Sequence, residues 1–169
     1  MFEPGGFYRP LKARQRQWRT ATAEANFTAR ASLAGPLEND RARHDVPRLT
    51  TFRSQGQFNT SIYSYRDRLR GVSGTRMAVF MDPSDIDRFG LKESDQVSLA
   101  AAADDSVRRE TGGFIVHAYA IPEGCIGGYY PECNPLVPVR HHAKECMVPA
   151  VNCIPARVQK SGIFVPIPA

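Results

Sequence analysis

Hydrophobic and polar positions change places over short distances from Arg48 onward, and each run ends at a turn former. RLTTFR (48–53) alternates and is rich in Thr and Phe, which predicts a strand. NTSIYSY (59–65) is a second β-prone run, reached through the polar elbow SQGQF. RMAVFM (76–81) is short and apolar, and Asp82-Pro83 stops it. Pro83 suits a first helical position and Asp82 an N-cap, so one or two helical turns follow through Ile86 and Phe89, with Gly90 as the stop. QVSLAAA (96–102) reads as a strand, Asp104-Asp105-Ser106 as a hairpin turn, and VRRETGGFIVHAYAI (107–121) as another strand. In that last run Phe114, Val116 and Ala118 share one face, with His117 and Tyr119 on the other. Five or six short strands and one short helix in about 120 residues favour a small closed β-barrel over α/β layers. The strand–helix–strand piece 76–102 is too short for a dinucleotide-binding unit and lacks G-x-G-x-x-G. The chain also has no P-loop, no H-E-x-x-H and no Ser-His-Asp order.

Two segments fall outside this pattern. Residues 1–46 are poor in periodic apolar positions and end in GPLENDRARHDVP (35–47), rich in turn formers and charge. They predict an extended arm or linker, whose Trp18 and Phe27 dock on another surface, ahead of a globular domain at 47–169. The other is GYYPECNPLVPVRHH (128–142), with two tyrosines, three prolines and paired histidines. Prolines at that density suit neither a regular helix nor a sheet interior. The stretch is a metal site, a packed corner or one wall of a ligand pocket.

Composition narrows the function. With 42% hydrophobic and 23% charged residues the chain is an ordinary folded protein. It has no apolar run of the roughly 18 residues that a membrane helix needs. The N-terminal MFEPGGFYRPLKARQ lacks an apolar signal core, so a cytoplasmic location is expected. The net charge of +5 comes largely from scattered arginines, with the densest cluster at Lys12, Arg14, Arg16 and Arg19. Such a cluster attracts any polyanion, including a nucleotide cofactor with a pyrophosphate. No nucleic-acid-binding motif accompanies it, so a stand-alone basic barrel for interaction or nucleic-acid binding is the alternative function. Cys125, Cys133, Cys146 and Cys153 match no zinc spacing and form no C-x-x-C. They read as small buried hydrophobes, against the rival of a metal cluster with His117, His141 and His142.

Four blocks carry a resemblance: TTFRSQGQFNT, VFMDPSDIDRFGLKESDQVSL, IPEGCIGGYYPECNPLVP and AVNCIPARV. In this order, across 48–158, they resemble the C-terminal molybdopterin dinucleotide-binding domain of molybdopterin oxidoreductases, closest to formate dehydrogenase-like alpha subunits. The resemblance implies a double-psi β-barrel of six short strands with one or two short helices, behind the extended arm. It implies a chain that binds and orients a molybdopterin guanine dinucleotide (Mo-bis-MGD), shared with a catalytic molybdopterin oxidoreductase chain and not catalytic by itself. A separate C-terminal subunit and a gene fragment are both compatible with this.

By resemblance, Arg53, Ser54, Gln57 and Asn59 lie near the pterin and phosphates, with Thr60 beside them. An arginine places a permanently charged fork on a pyrophosphate, and Gly56 allows close backbone approach. Asn134 offers both a donor and an acceptor to the ligand, as a pterin or guanine edge requires. Read without the resemblance, Asn134 bonds its own backbone and Arg53 sits solvated on a polar turn. Arg157 matches a position commonly basic in the family. The chain departs from the family at WRTATAEANF, where Ala23 and Glu24 replace Gly and Lys of W-x-T-P-x-G-K-A-x-F. Ser94-Asp95 replaces a Gly-Asp turn, and Asn152 occupies a usual Lys site. Lost glycine freedom strains turns, and lost lysine charge weakens cofactor contacts.

Overall fold

A computed structural model describes residues 15–18, 20–24, 45–103, 106–143 and 147–161. Backbone contacts divide the chain into two compact units, Met1–Pro36 and Leu37–Ala169.

In the first unit the described residues form a turn at 20–24, where the amide of Ala23 donates to the Thr20 carbonyl at 3.1 Å. Thr20 Oγ1 donates to the Glu24 carbonyl at 2.7 Å. Ala23 takes φ +59°, a left-handed conformation that costs a residue with a Cβ about 1–2 kcal/mol. This is the position at which the resembled pattern carries glycine. Phe27 and most of the predicted arm lie outside the described residues.

In the second unit six strands close a barrel: β1 (Arg48–Phe52), β6 (Ala78–Met81), β7 (Gln96–Ala101), β8 (Glu110–Ala118), β9 (Cys125–Tyr129) and β10 (Ile154–Lys160). Around it the order is β1-β10-β7-β8-β6-β9. β1 runs parallel to β9 and β6 parallel to β8, while the remaining neighbours are antiparallel. The architecture is mainly β, as the turn-punctuated pattern predicts. Two short hairpins, β2 (Gln57–Phe58) with β3 (Ser61–Ile62) and β4 (Arg66–Asp67) with β5 (Val72–Ser73), make their own two-stranded sheets. Of the continuous strand predicted at 59–65, only Ser61–Ile62 is strand, the second arm of the β2–β3 hairpin. Its first two residues are instead the hairpin connection Asn59-Thr60, where Asn59 takes φ +51°, a left-handed conformation that asparagine tolerates better than most residues.

No strand is predicted from sequence at 125–129, because two glycines in CIGGY depress strand propensity. The fold needs both of them. A Cβ on Gly127 would meet the Phe52 ring at 2.5 Å, and one on Gly128 would meet Cys133 Sγ at 2.4 Å. Helix α1 (Pro83–Arg88) starts as predicted, with Asp82 accepting from the Ser84 amide at 2.8 Å and proline in the first turn. Ser94 leads into β7 at φ +70°. It is the second position at which the resembled pattern carries glycine and the backbone is left-handed. The proline-rich stretch 128–142 is more regular than its composition suggests. Tyr130–Cys133 form one helical turn, α2, and Asn134–Leu136 a 3-10 turn, each with a proline near its start.

The barrel is filled by Leu49, Val79, Met81, Val97, Leu99, Phe114, Val116, Ile126, Leu136 and Ile154, all fully buried. Of the three residues predicted to share one face of β8, Phe114 and Val116 are buried and Ala118 is exposed. His117 and Tyr119 point the other way and pack on the Phe80 ring, as expected for alternating positions. Burial holds the His117 imidazole below its ordinary pKa, with Glu93 opposing. No helix among the described residues is long and apolar enough to cross a membrane. The Asp104-Asp105 turn lies outside the described residues.

Candidate functional site

Where β1 ends, the chain turns out of the barrel into the elbow 53–60, and the elbow meets α2. An open cleft of about 510 Å³ lies there, lined by Thr51, Phe52, Arg53, Asn59, Thr60, Tyr130, Val151 and Asn152. Arg53 is exposed. Asn59 and Thr60 sit at the tip of the β2–β3 hairpin, exposed to solvent. The structure therefore brings three of the sequence-selected residues to one cavity.

Ser54 and Gln57 are buried just behind them, holding an arginine that the sequence did not single out. Arg76 is 4% exposed at the head of β6. Its Nη1 donates to Ser54 Oγ at 2.5 Å and its Nη2 to Gln57 Oε1 at 2.8 Å. Nε and Nη2 donate to the two carboxylate oxygens of Glu132 on α2, at 2.7 and 3.1 Å. Gln57 Nε2 donates to the Asn59 carbonyl at 3.1 Å, and the Tyr130 hydroxyl donates to the same carbonyl. Gly56 approaches its own chain: a Cβ there would meet Ser64 Cβ at 2.7 Å.

A second polar cluster adjoins the first through Tyr129, over whose ring Arg76 lies at 4.8 Å. The Tyr129 hydroxyl donates to Asp67 at 3.0 Å, and Arg70 donates to the same carboxylate oxygen at 2.7 Å. Burial pulls the Asp67 carboxyl upward, but the bonds from Arg70 and Tyr129 prevail and hold it below its ordinary pKa. Burial and the Asp67 carboxylate push the Tyr129 phenol far above its usual range. Arg70 also lies over the Phe52 ring at 4.3 Å, tying the β4–β5 hairpin to the cleft rim.

The other sequence-selected residues are elsewhere. Asn134 is exposed at the end of α2, outside the cleft lining, and its side-chain amide has no hydrogen-bond partner among the described residues. Its carbonyl accepts from the Val137 amide at 3.1 Å. Arg157 is on β10, where it pairs with Asp45 at 3.4 Å. Sequence reasoning missed Arg76, Glu132 and Tyr130. The available signal was an arginine heading the otherwise apolar run RMAVFM. Asn152, noted as a departure from a usual lysine, lines the cleft.

Cys133 is fully buried in the core, where burial pushes its thiol up to about 12. Cys125 and Cys153 are free and half-buried, and Cys146 lies outside the described residues. His141 bonds the Cys153 carbonyl at 2.8 Å, and His142 the Ala143 carbonyl at 3.1 Å. Among the described residues no three His, Cys, Asp or Glu side chains converge in a metal-binding group.

No protein-family model matches the chain. It is 39% identical over 164 residues to proteins named "Uncharacterized oxidoreductase" from Mycobacterium tuberculosis and Mycobacterium bovis, an alignment covering 94% of this chain and 20% of those proteins. It is 32% identical over 162 residues to protein YdeP of Escherichia coli, covering 94% of this chain and 21% of that protein. The chain spans about a fifth of the length of the curated relatives it matches. It thus corresponds to one segment of longer proteins, some of them named as oxidoreductases.

Proposed function

We propose that the second unit is a double-psi β-barrel that binds and orients a molybdopterin guanine dinucleotide for a formate dehydrogenase-like molybdenum oxidoreductase. The observation that carries this reading is the cleft. Arg53, Asn59 and Thr60, all candidates from the sequence, line one open space of about 510 Å³. Two further selected residues, Ser54 and Gln57, lie buried behind it. The donor set fits a nucleotide. Arg53 supplies a planar guanidinium fork, Asn59, Thr60 and Asn152 supply directional hydrogen bonds, and Phe52 and Tyr130 supply flat surfaces for a ring system.

Two further observations support the reading. The closed six-stranded barrel with two parallel strand pairs is compatible with the double-psi topology. Ala23 and Ser94, the two sites where family glycines are replaced, both have positive φ. A backbone that still asks for glycine at those two turns is what the resemblance predicts. When bound, the cofactor supplies the redox chemistry, and this chain binds and orients it. The reading takes a catalytic molybdopterin oxidoreductase chain as the partner; in the relatives the matching segment is about a fifth of one longer protein.

The test is retention of molybdenum and guanine nucleotide in the complex reconstituted with a catalytic chain. Arg53→Lys replaces the bidentate fork by a point charge, and the expected loss is about 1–3 kcal/mol of binding. Asn152→Lys restores a cation to the cleft and is expected to raise retention severalfold in low salt, an effect that fades as salt screens it. Asn134→Ala is expected to cost less than Arg53→Lys, because Asn134 stands outside the lining. Unchanged retention with Arg53→Lys would remove the cofactor reading. DNA binding with a steep salt dependence would favour the stand-alone basic barrel.

A further inference from the structure

We propose that Arg76 is a positioning residue for the cleft, a buried clamp that holds the elbow 53–60 and the α2 turn in one fixed arrangement. The inference rests on the nucleotide reading of the cleft. Arg76 does not touch the open space itself. Its guanidinium joins Ser54 and Gln57 of the elbow to Glu132 of α2 through four hydrogen bonds of 2.5, 2.8, 2.7 and 3.1 Å.

The connection closes on itself. Gln57 passes from Arg76 to the Asn59 carbonyl, Tyr130 reaches that same carbonyl, and Tyr130 shares the α2 turn with Glu132. Asn59 and Tyr130, both in the cleft lining, are therefore bonded directly to each other and tied behind by Arg76. Neither segment is part of the barrel ladder. The β2–β3 hairpin forms its own sheet of two-residue strands, and α2 is a single turn, so neither has enough structure to hold its position alone.

Physical considerations favour a positioning role over a simple contribution to stability. A buried ion pair gains little over apolar side chains of the same volume, because desolvation offsets the Coulomb attraction. What the arginine adds is direction: a planar fork grips the Glu132 carboxylate with two bonds and still reaches two further acceptors. Lysine keeps the charge but cannot serve these acceptors in that geometry.

The experiment uses the full 169-residue chain with Arg76→Lys, Glu132→Gln and, as a destabilised control, Val97→Ala in the barrel core. Amide hydrogen exchange is followed segment by segment, and affinity for guanosine diphosphate is measured by calorimetry. In Arg76→Lys, exchange across 54–60 and 130–134 is expected to speed up about tenfold or more while β7, β8 and β10 keep their protection. Nucleotide affinity is expected to fall about tenfold. Glu132→Gln keeps one acceptor oxygen and should show the same pattern at smaller amplitude, which also decides the matter if Arg76→Lys does not fold. Val97→Ala should lower the melting temperature without either effect. Unchanged exchange at the two segments, or the same local change in Val97→Ala, would overturn the proposal. If the unaltered chain alone takes up no guanosine diphosphate, the exchange pattern alone decides whether Arg76 clamps the two segments, and retention in the reconstituted complex decides the nucleotide reading.

Discussion

The inside of the barrel and the polar cluster behind the cleft are both enclosed yet are held by different forces. The barrel interior is dry and apolar, with Leu49, Leu99, Phe114 and Ile126 fully buried together. The cluster behind the cleft is nearly as enclosed but carries charged and polar groups: Arg76 is 4%, Asp67 3% and Gln57 3% exposed. Apolar contact is non-directional, so many sequences of suitable volume fill a barrel. A buried guanidinium or carboxylate needs named partners at fixed distances. The first region therefore defines the scaffold, and the second defines one shape at one mouth of it.

The largest expected effect tests the dry side. Phe114→Ala empties the barrel centre and should cost about 3–5 kcal/mol in denaturant unfolding, lowering protection in every barrel strand together. Arg76→Met tests the charged side. It leaves Glu132, Ser54 and Gln57 without their donor and should cost about 3 kcal/mol, near the low end for a broken buried pair because Glu132 keeps some solvent contact. The comparison breaks if the two variants show the same pattern of exchange, since the second should loosen the elbow and α2 first.

Tyr129→Phe removes one donor from Asp67 and should cost about 1.5–2 kcal/mol at neutral pH. It should also change the response to acid. Asp67 has a folded pKa below its ordinary 3.8, so its contribution to stability is present above that value and is lost as pH falls through the lower folded one. Without Tyr129 the folded pKa moves back toward 3.8, and less stability is lost in acid. An unchanged acid unfolding curve would show that Arg70 alone sets the Asp67 proton. The smallest effect expected is a gain: Ser94→Gly relieves a left-handed residue and should stabilise the chain by about 1 kcal/mol. A loss there would mean that the Ser94 turn is held by something other than backbone conformation.

How much of this was readable in advance depends on distance along the chain. Asp82 capping α1, the end of RMAVFM at Asp82-Pro83, and the alternation of Phe114 and Val116 with His117 are decided within a few residues, and the sequence displays them. The missed strand at 125–129 marks the limit of local reasoning. Its glycines weaken a strand locally but are required by Phe52 and Cys133, which approach from other elements. The elbow was legible as a polar segment with candidate ligand groups, and Arg53, Asn59 and Thr60 do line the cleft.

What the sequence by itself determined is the set of short strands, their turns and the kinds of side chain offered near the elbow. Only the tertiary structure decided which of those side chains face the open space and which turn inward. Ser54 and Gln57 look like ligand groups in isolation, yet they meet Arg76 from 22 and 19 residues away. Glu132 meets it from 56 residues away. A polar side chain seeks whichever partner the fold brings within about 3 Å, and the barrel closure that brings these together leaves no trace in their neighbouring residues.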